Sequence, residues 1–504
     1  MTSSQRILVN TTAQYIRTVI NVCLSLYSTR LILAALGQSD FGLYSVVAGI
    51  VAMLSFITNA LVSTTQRYLS FNHGRQDKEK VYQVFGDSVW LHIIIALGLL
   101  IILLAISYPT IYSFLNIETG RHNAAFAVYG AATIMLFFAI LTAPFRALFI
   151  ARENIVYISV IDVLDGVFRL LIAIMLTRIP YDRLTSYALL QIGISIFNFC
   201  AFALYAFKHF EECHIPSIRE LNREHIKELS KFAGWNVYGT GCVIIRNQGL
   251  AVVLNIFCGT IINAAYGIAQ QVSGAVAFIS SSIINAINPQ IMKAEGAGDR
   301  TRMLSLSERV SKYALLLLSL VAIPLIFEMD NVLQVWLTEV PIYTVGFCQL
   351  ILLASMCDQL TVGLTSANQA IGDIKRYVLC FYTYKLFTLL AIAICLYFGI
   401  DPVISLWCYV IIELTGSALR LILLKHQAGL NIMHFSQEIF RRTAAPISTM
   451  VLISYLCTEY MEIPYRFLVT ITLTIIGGII MIWLTSLDSI EKNIIRNILN
   501  QKND

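Results

Sequence analysis

Several residues capable of chemistry stand where an apolar setting would make them costly. Arg17, Arg30 and Arg246 lie inside long hydrophobic segments. A guanidinium there offers a planar fork that donates two parallel hydrogen bonds and keeps its charge at any accessible pH, which suits it to hold a phosphate or a carboxylate. Asn10, Gln14, Arg17, Asn21 and Ser25 recur at steps of four, three, four and four, so at helical spacing they form one polar stripe. Gln14, Asn21 and Asn247 would supply neutral donors and acceptors for hydroxyl groups. The acids that could answer these cations are Asp162, Asp165, Asp358 and Glu413, with Arg169 and Lys385 as further cations. Asp165 and Arg169 are spaced i,i+4 and are expected to neutralise each other. Asp358 with Lys385, and Glu413 with Arg246, fall at similar depths and can be read either as structural pairs or as ion-coupling groups. Each charge turned to lipid costs about 2.5–3.5 kcal/mol or more, so each needs a partner or water. The first segment carries two arginines and no acid, and its stripe is therefore expected to line a hydrated crevice. The bland alternative is that Arg17 and Arg30 snorkel to the headgroups.

The elements that position these residues follow from composition. Of 504 residues, 57% are hydrophobic and 13% charged, and mean hydropathy is +0.73. A soluble domain has about 45–50% apolar and about 25% charged residues, so this is an integral membrane protein. The net charge of +5 is scattered through short loops and does not form a nucleic-acid footprint. The 11 cysteines lack metal-like spacing and read as small buried hydrophobes.

About fourteen membrane-spanning helices are expected, at roughly 13–36, 42–69, 81–107, 122–147, 156–177, 185–207, 233–257, 263–290, 304–327, 344–368, 378–399, 403–424, 443–460 and 466–486. Basic residues concentrate in "HGRQDKEK", "RELNREHIKELSK", "KAEGAGDRTR" and "HFSQEIFRR", which places those loops and both termini in the cytoplasm. The polar stripe interrupts the first segment at helical spacing, so we expect it to be retained rather than cleaved as a signal peptide.

The chain also repeats itself. A shift of 222 sets Gly37 on Gly259, Tyr44 on Tyr266, Phe56 on Phe278, Gly74 on Gly296 and Asp77 on Asp299. At about 220, "LLIAIML" from Leu170 falls on "LAIAICL" from Leu390. A same-direction repeat over an even number of spans predicts two six-helix lobes related by an axis along the membrane normal. The expected organisation is an N-lobe at 1–208, a cytoplasmic or interfacial linker helix at 209–232, a C-lobe at 233–426, and two further helices with a tail at 427–504. In the linker, Ile218, Leu221, His225, Leu229 and Phe232 share an apolar face.

The stretch "LGQSDFGLYSVVAGIVAMLSFITNALVSTTQRYLSFNHGRQDKEKVYQVF" resembles the first-hairpin region of polysaccharide (O-antigen type) flippases in the multidrug/oligosaccharidyl-lipid/polysaccharide (MOP) exporter superfamily. "LTSANQAIGDIKRYVL", Leu364 to Leu379, resembles the turn after that family's tenth helix. The resemblance implies that lipid-pyrophosphate-linked oligosaccharide is moved from the inner to the outer leaflet by alternating access, in a bacterial inner membrane, for surface polysaccharide assembly. It implies a lipid-linked saccharide and membrane lipids as partners, no cofactor, and a monomer.

Two other classes compete. A cation-coupled multidrug antiporter on the same fold needs an accessible carboxylate that exchanges Na+ or H+, for which Asp162 or Asp165 would serve. A membrane-embedded polymerase or glycosyltransferase needs a sizeable extramembrane catalytic loop, and the outward-facing segments here are short. No G-x-x-x-x-G-K phosphate loop occurs, which argues against ATP hydrolysis.

Overall fold

The computed structural model describes residues 3–114, 117, 120–213, 222–337, 340–489 and 491–492. They are helical, and no strand occurs among them. In chain order the helices are α1 (Val9–Gly37), α2 (Asp40–Gly74), α3 (Lys78–Tyr112), α4 (His122–Ala151), α5 (Ile155–Leu176), α6 (Arg183–His209), α7 (Arg223–Cys258), α8 (Thr260–Gly296), α9 (Arg300–Trp336), α10 (Thr344–Gln359), α11 (Gly363–Ile371), α12 (Lys375–Tyr397), α13 (Pro402–Ala428), α14 (Ile432–Tyr460) and α15 (Arg466–Ser486). The chain is an all-α, multi-pass membrane protein.

The expected count of fourteen spans is not carried over. Among the described residues, eleven helices are long and apolar enough to cross a membrane, or twelve when α10 and α11, bent by 45°, are joined as one. The two that fall short are α5 and α14. Asp162, Asp165 and Arg169 crowd α5, and Thr443, Pro446, Ser448, Thr449, Ser454 and Thr458 dilute α14.

Local chemistry at the helix ends repeats as the sequence does. Gly37 (φ 78°, ψ 171°) and its repeat partner Gly259 (φ 84°, ψ −177°) occupy the same region of backbone space, one essentially reserved for glycine, and each turns one helix into the next. Asp77 and Asp299 both cap the following helix, accepting from the Lys80 and Arg302 amides. Asp182 and Asp401 do the same for α6 and α13, with Pro402 at the first turn of α13.

Two compact units result, Leu8–Val237 and Met1–Ile7 with Tyr238–Asp504. At the centre of the first lies α4, whose Ala125, Ala131, Ala143 and Ala147 are buried and let α2, α3 and α6 approach closely. In the second, α9 is central and packs on α8, α10, α11, α14 and α15. A Cβ at Gly363 would lie 2.0 Å from the Ser307 carbonyl oxygen, so α11 starts in direct backbone contact with α9. Buried Glu328 of α9 accepts from Arg466 and Thr470 of α15, at 2.9 and 2.7 Å, and ties that helix to the core.

Of the expected linker, residues 214–221 lie outside the described residues. Residues 209–213 end α6 and form the turn after it, and 223–232 form the first turns of α7. There His225 Nδ1 lies 2.7 Å from Asp87 of α3, Glu228 accepts from Tyr68 of α2 at 2.9 Å, and Leu229 and Phe232 are buried. Three cysteines, Cys23, Cys200 and Cys380, stand on exposed helix faces, correcting the expectation that the cysteines are uniformly buried.

Candidate functional site

Each unit contains a cluster of ionic side chains drawn from different helices. In the first unit, Asp162 of α5 is held from two directions. Arg17 of α1 donates to its Oδ2 at 2.6 Å, and Arg146 of α4 donates to both carboxylate oxygens at 2.9 and 2.7 Å. One turn on, Asp165 accepts from Arg169 Nε and from Asn198 of α6, both at 2.6 Å, while Arg169 also donates to Gln191 at 2.9 Å. Arg146, Arg169, Asn59, Thr58, Ser195 and Asn198 line a cavity of about 480 Å³ beside these pairs, whose remaining wall is mostly apolar and rich in alanine and valine.

In the second unit the cluster is more deeply enclosed. Arg246 of α7 is paired with Glu413 of α13. Lys385 of α12 sits between two acids, 2.8 Å from Glu413 and 2.9 Å from Asp358 of α10. Arg420, two turns beyond Glu413 on α13, donates to the Asp358 carboxylate and to its backbone carbonyl, both at 3.0 Å. Aromatic faces complete the enclosure, with Arg246 over Tyr409 at 4.8 Å, and Lys385 and Arg420 over Phe381 at 4.8 and 4.2 Å. Arg246, Lys385, Glu413 and Arg420 are each 4–6% exposed. Removing Glu413 would strand the buried charge of Arg246, which pairs with no other acid in the cluster.

The electrostatic balance is the same in both clusters. The first sets Arg17, Arg146 and Arg169 against Asp162 and Asp165; the second sets Arg246, Lys385 and Arg420 against Asp358 and Glu413. Three cations on two carboxylates leave one positive charge in excess in each.

This arrangement corrects the expectation that Arg17 stands without an acid, whereas Arg246 with Glu413 and Lys385 with Asp358 meet as the pairs that their similar depths suggested. The acid that meets Arg17 comes from α5, and no periodicity along α1 reveals a partner on another helix. The α1 stripe packs against neighbouring helices within its own unit. Asn10 donates to the Glu153 carbonyl at 2.9 Å, Gln14 is buried, and Asn21 lies against Gly166 of α5, where a Cβ would come within 2.8 Å of its Oδ1. That oxygen is buried without a hydrogen-bond partner. Arg30 is exposed and forms no ion pair among the described residues. Asn247 accepts from Arg246 Nε at 3.1 Å.

Two functional candidates escaped sequence reasoning, Arg146 and Arg420. Both stand near the end of an apolar run, where a basic residue reads as a headgroup contact. Arg420 left a usable signal, being seven residues from Glu413 and hence on the same helix face.

No protein-family model and no curated protein matches this sequence. Solved structures do. MATE in the bent conformation is 12% identical with a TM-score of 0.74, over 87% of this chain and 97% of that one. A MOP superfamily transporter from Pyrococcus furiosus, described as having a binding pocket of reverse polarity that suggests a different function, is 13% identical with a TM-score of 0.71 over the same shares. An outward-facing multidrug resistance MATE family transporter of the MOP superfamily is 13% identical with a TM-score of 0.69, again over 87% and 97%. At such identities the likeness establishes a common fold.

Proposed function

We propose that this chain is a transporter that carries an anionic, phosphate-bearing cargo, a lipid-pyrophosphate-linked oligosaccharide, from the inner to the outer leaflet of a bacterial inner membrane by alternating access, for surface polysaccharide assembly. The observation that carries the reading is the excess of one cation in each unit's ionic cluster. Uncompensated positive charge at membrane depth is costly and asks for an anion. Arg146 and Arg169, which line the first unit's cavity, are in this reading the groups that meet the cargo's phosphate. Arg17 then positions Asp162. An inside-negative potential favours outward movement of an anion by about 2.3 kcal/mol per charge per 100 mV, so the potential can contribute to the work.

Deletion in the native host, followed by analysis of lipid-linked intermediates, tests this. A lipid-linked oligosaccharide is expected to accumulate on the inner leaflet while surface glycan is lost. Normal surface glycan with no accumulated intermediate sinks the proposal.

Cation-coupled multidrug efflux is the second reading, favoured by the MATE transporters among the structural neighbours. Against it, both acids of the first cluster are already engaged by arginines, whose own charge persists at any accessible pH. Proton-dependent dye efflux that is abolished by Asp162→Asn or Asp165→Asn would favour this reading.

A further inference from the structure

At one end of the first unit, the α2–α3 turn, the α4–α5 turn and the segment after α6 enclose a pocket of about 770 Å³ that the transport reading leaves without a role. Its lining includes His73, Gln76, Lys78, Arg152, Glu211 and Glu212. Glu212 is 3% exposed. Arg152 Nε donates to its Oε1 at 2.5 Å and His73 Nε2 lies 3.2 Å from the same oxygen, whereas its Oε2 is buried with no hydrogen-bond partner. At the rim, Lys78 and Glu211 approach to 3.8 Å and remain largely exposed.

The internal repeat shows that this pocket is a specialised feature of one copy. Arg75-Gln76-Asp77 corresponds to Ala297-Gly298-Asp299, and Arg152-Glu153-Asn154 to Ile371-Gly372-Asp373. All four turns need a left-handed residue. The second copy meets the need with Gly298 (φ 79°) and Gly372 (φ 95°), whereas the first uses Gln76 (φ 57°) and Glu153 (φ 59°). A side chain in that region costs strain that glycine avoids. The pocket-lining His73, Gln76 and Arg152 thus stand where the other copy has Glu295, Gly298 and Ile371, so polar lining is retained despite a backbone penalty at Gln76.

Charge selects the ligand class. Lys78 and Arg152 face Asp77, Glu211 and Glu212, so with neutral histidines the pocket carries one net negative charge and repels a bare anion. Both signs are present as two side-by-side pairs, Arg152 with Glu212 and Lys78 with Glu211, and the unmet Glu212 oxygen calls for a further N–H donor. We propose that the pocket binds the headgroup of a zwitterionic, primary-amine phospholipid, its ammonium on Glu211 and Glu212 and its phosphate on Lys78 and Arg152. A trimethylammonium headgroup has no N–H to donate and is the natural control.

The test uses the full-length protein in nanodiscs of phosphatidylethanolamine, phosphatidylcholine or phosphatidylglycerol with identical acyl chains, with lipid retention read by native mass spectrometry. Phosphatidylethanolamine is expected to be retained about tenfold over phosphatidylcholine, the effect of one charge-assisted hydrogen bond. Glu212→Gln should abolish that preference. Gln76→Gly should raise the melting temperature by relieving strain and yet lower retention, and it keeps the test decisive should Glu212→Gln fail to fold. Equal retention of the two zwitterions, preference for the glycerol lipid, or a preference unchanged by these substitutions overturns the proposal. Soluble phosphoethanolamine binding as tightly as the lipid would overturn the assignment to a membrane lipid.

Discussion

Asp162 and Glu413 are each shared between two cations, but they differ in enclosure. Glu413 and its partner Arg246 have side chains 4% and 7% exposed, whereas Asp162 is 21% and Arg146 34% exposed. Neutralising Glu413 leaves buried Arg246 without its acid, while Lys385 keeps Asp358, so Glu413→Gln should destabilise the protein by about 3–5 kcal/mol. Asp162→Asn should cost less, about 1–3 kcal/mol, because water can reach the released arginines. Thermal unfolding of both variants in one detergent checks the order, and a larger loss for Asp162→Asn would contradict it. Glu212 lies outside the spans and makes a pH-dependent contribution. Burial alone would raise its pKa, but the His73 contact, a backbone amide and Arg152 outweigh that and hold it at about 2, below the ordinary 4.5. A depressed carboxylate stabilises the fold above its unfolded pKa, and the benefit fades as pH falls from 4.5 toward 2. The melting temperature of the native protein should therefore fall more steeply across that window than that of Glu212→Gln; parallel curves would refute the assignment.

Helices in this chain are positioned by close backbone approaches as much as by apolar faces. The bend between α10 and α11 brings Gly363 onto the Ser307 carbonyl, and the Gly363 amide donates to Ser311 Oγ at 3.0 Å. Gly363→Ala must push backbone apart and should cost about 1–3 kcal/mol. Gly37 has open space around its Cβ position but a backbone conformation reserved for glycine, so Gly37→Ala should cost about 1–3 kcal/mol through strain alone. Unfolding midpoints measured for both decide the matter; a neutral Gly363→Ala would show that α11 is free to slide on α9. The polar stripe of α1 belongs to the same scale. Its residues could be placed on one face from spacing, but what that face meets depends on α5 and on the turn bearing Glu153.

For the whole molecule, the repeat carries most of the organisation. Gly37 with Gly259, Asp77 with Asp299, and Asp182 with Asp401 keep equivalent turns and caps in the two copies. Sidedness is an expectation of the charge distribution, and it can be measured. With native cysteines replaced, Tyr181→Cys in the α5–α6 turn, a site 79% exposed, should react with an impermeant maleimide on intact cells. Lys78→Cys, at a site whose side chain is 81% exposed, should react only after the membrane is opened. The reverse pattern would invert the proposed direction of transport.

Composition, hydropathy and the repeat made the membrane class and the all-α fold legible, because apolar length and glycine-dependent turns are properties of local sequence. Spacing along one helix likewise placed Asp165 beside Arg169. Similar depth along two helices suggested Glu413 for Arg246 and Asp358 for Lys385, but the partner of Arg17, and the part played by Arg146 and Arg420, were decided by tertiary structure. Which carboxylate meets a guanidinium depends on the rotation and depth of two helices remote in sequence, and a single helix's periodicity contains neither.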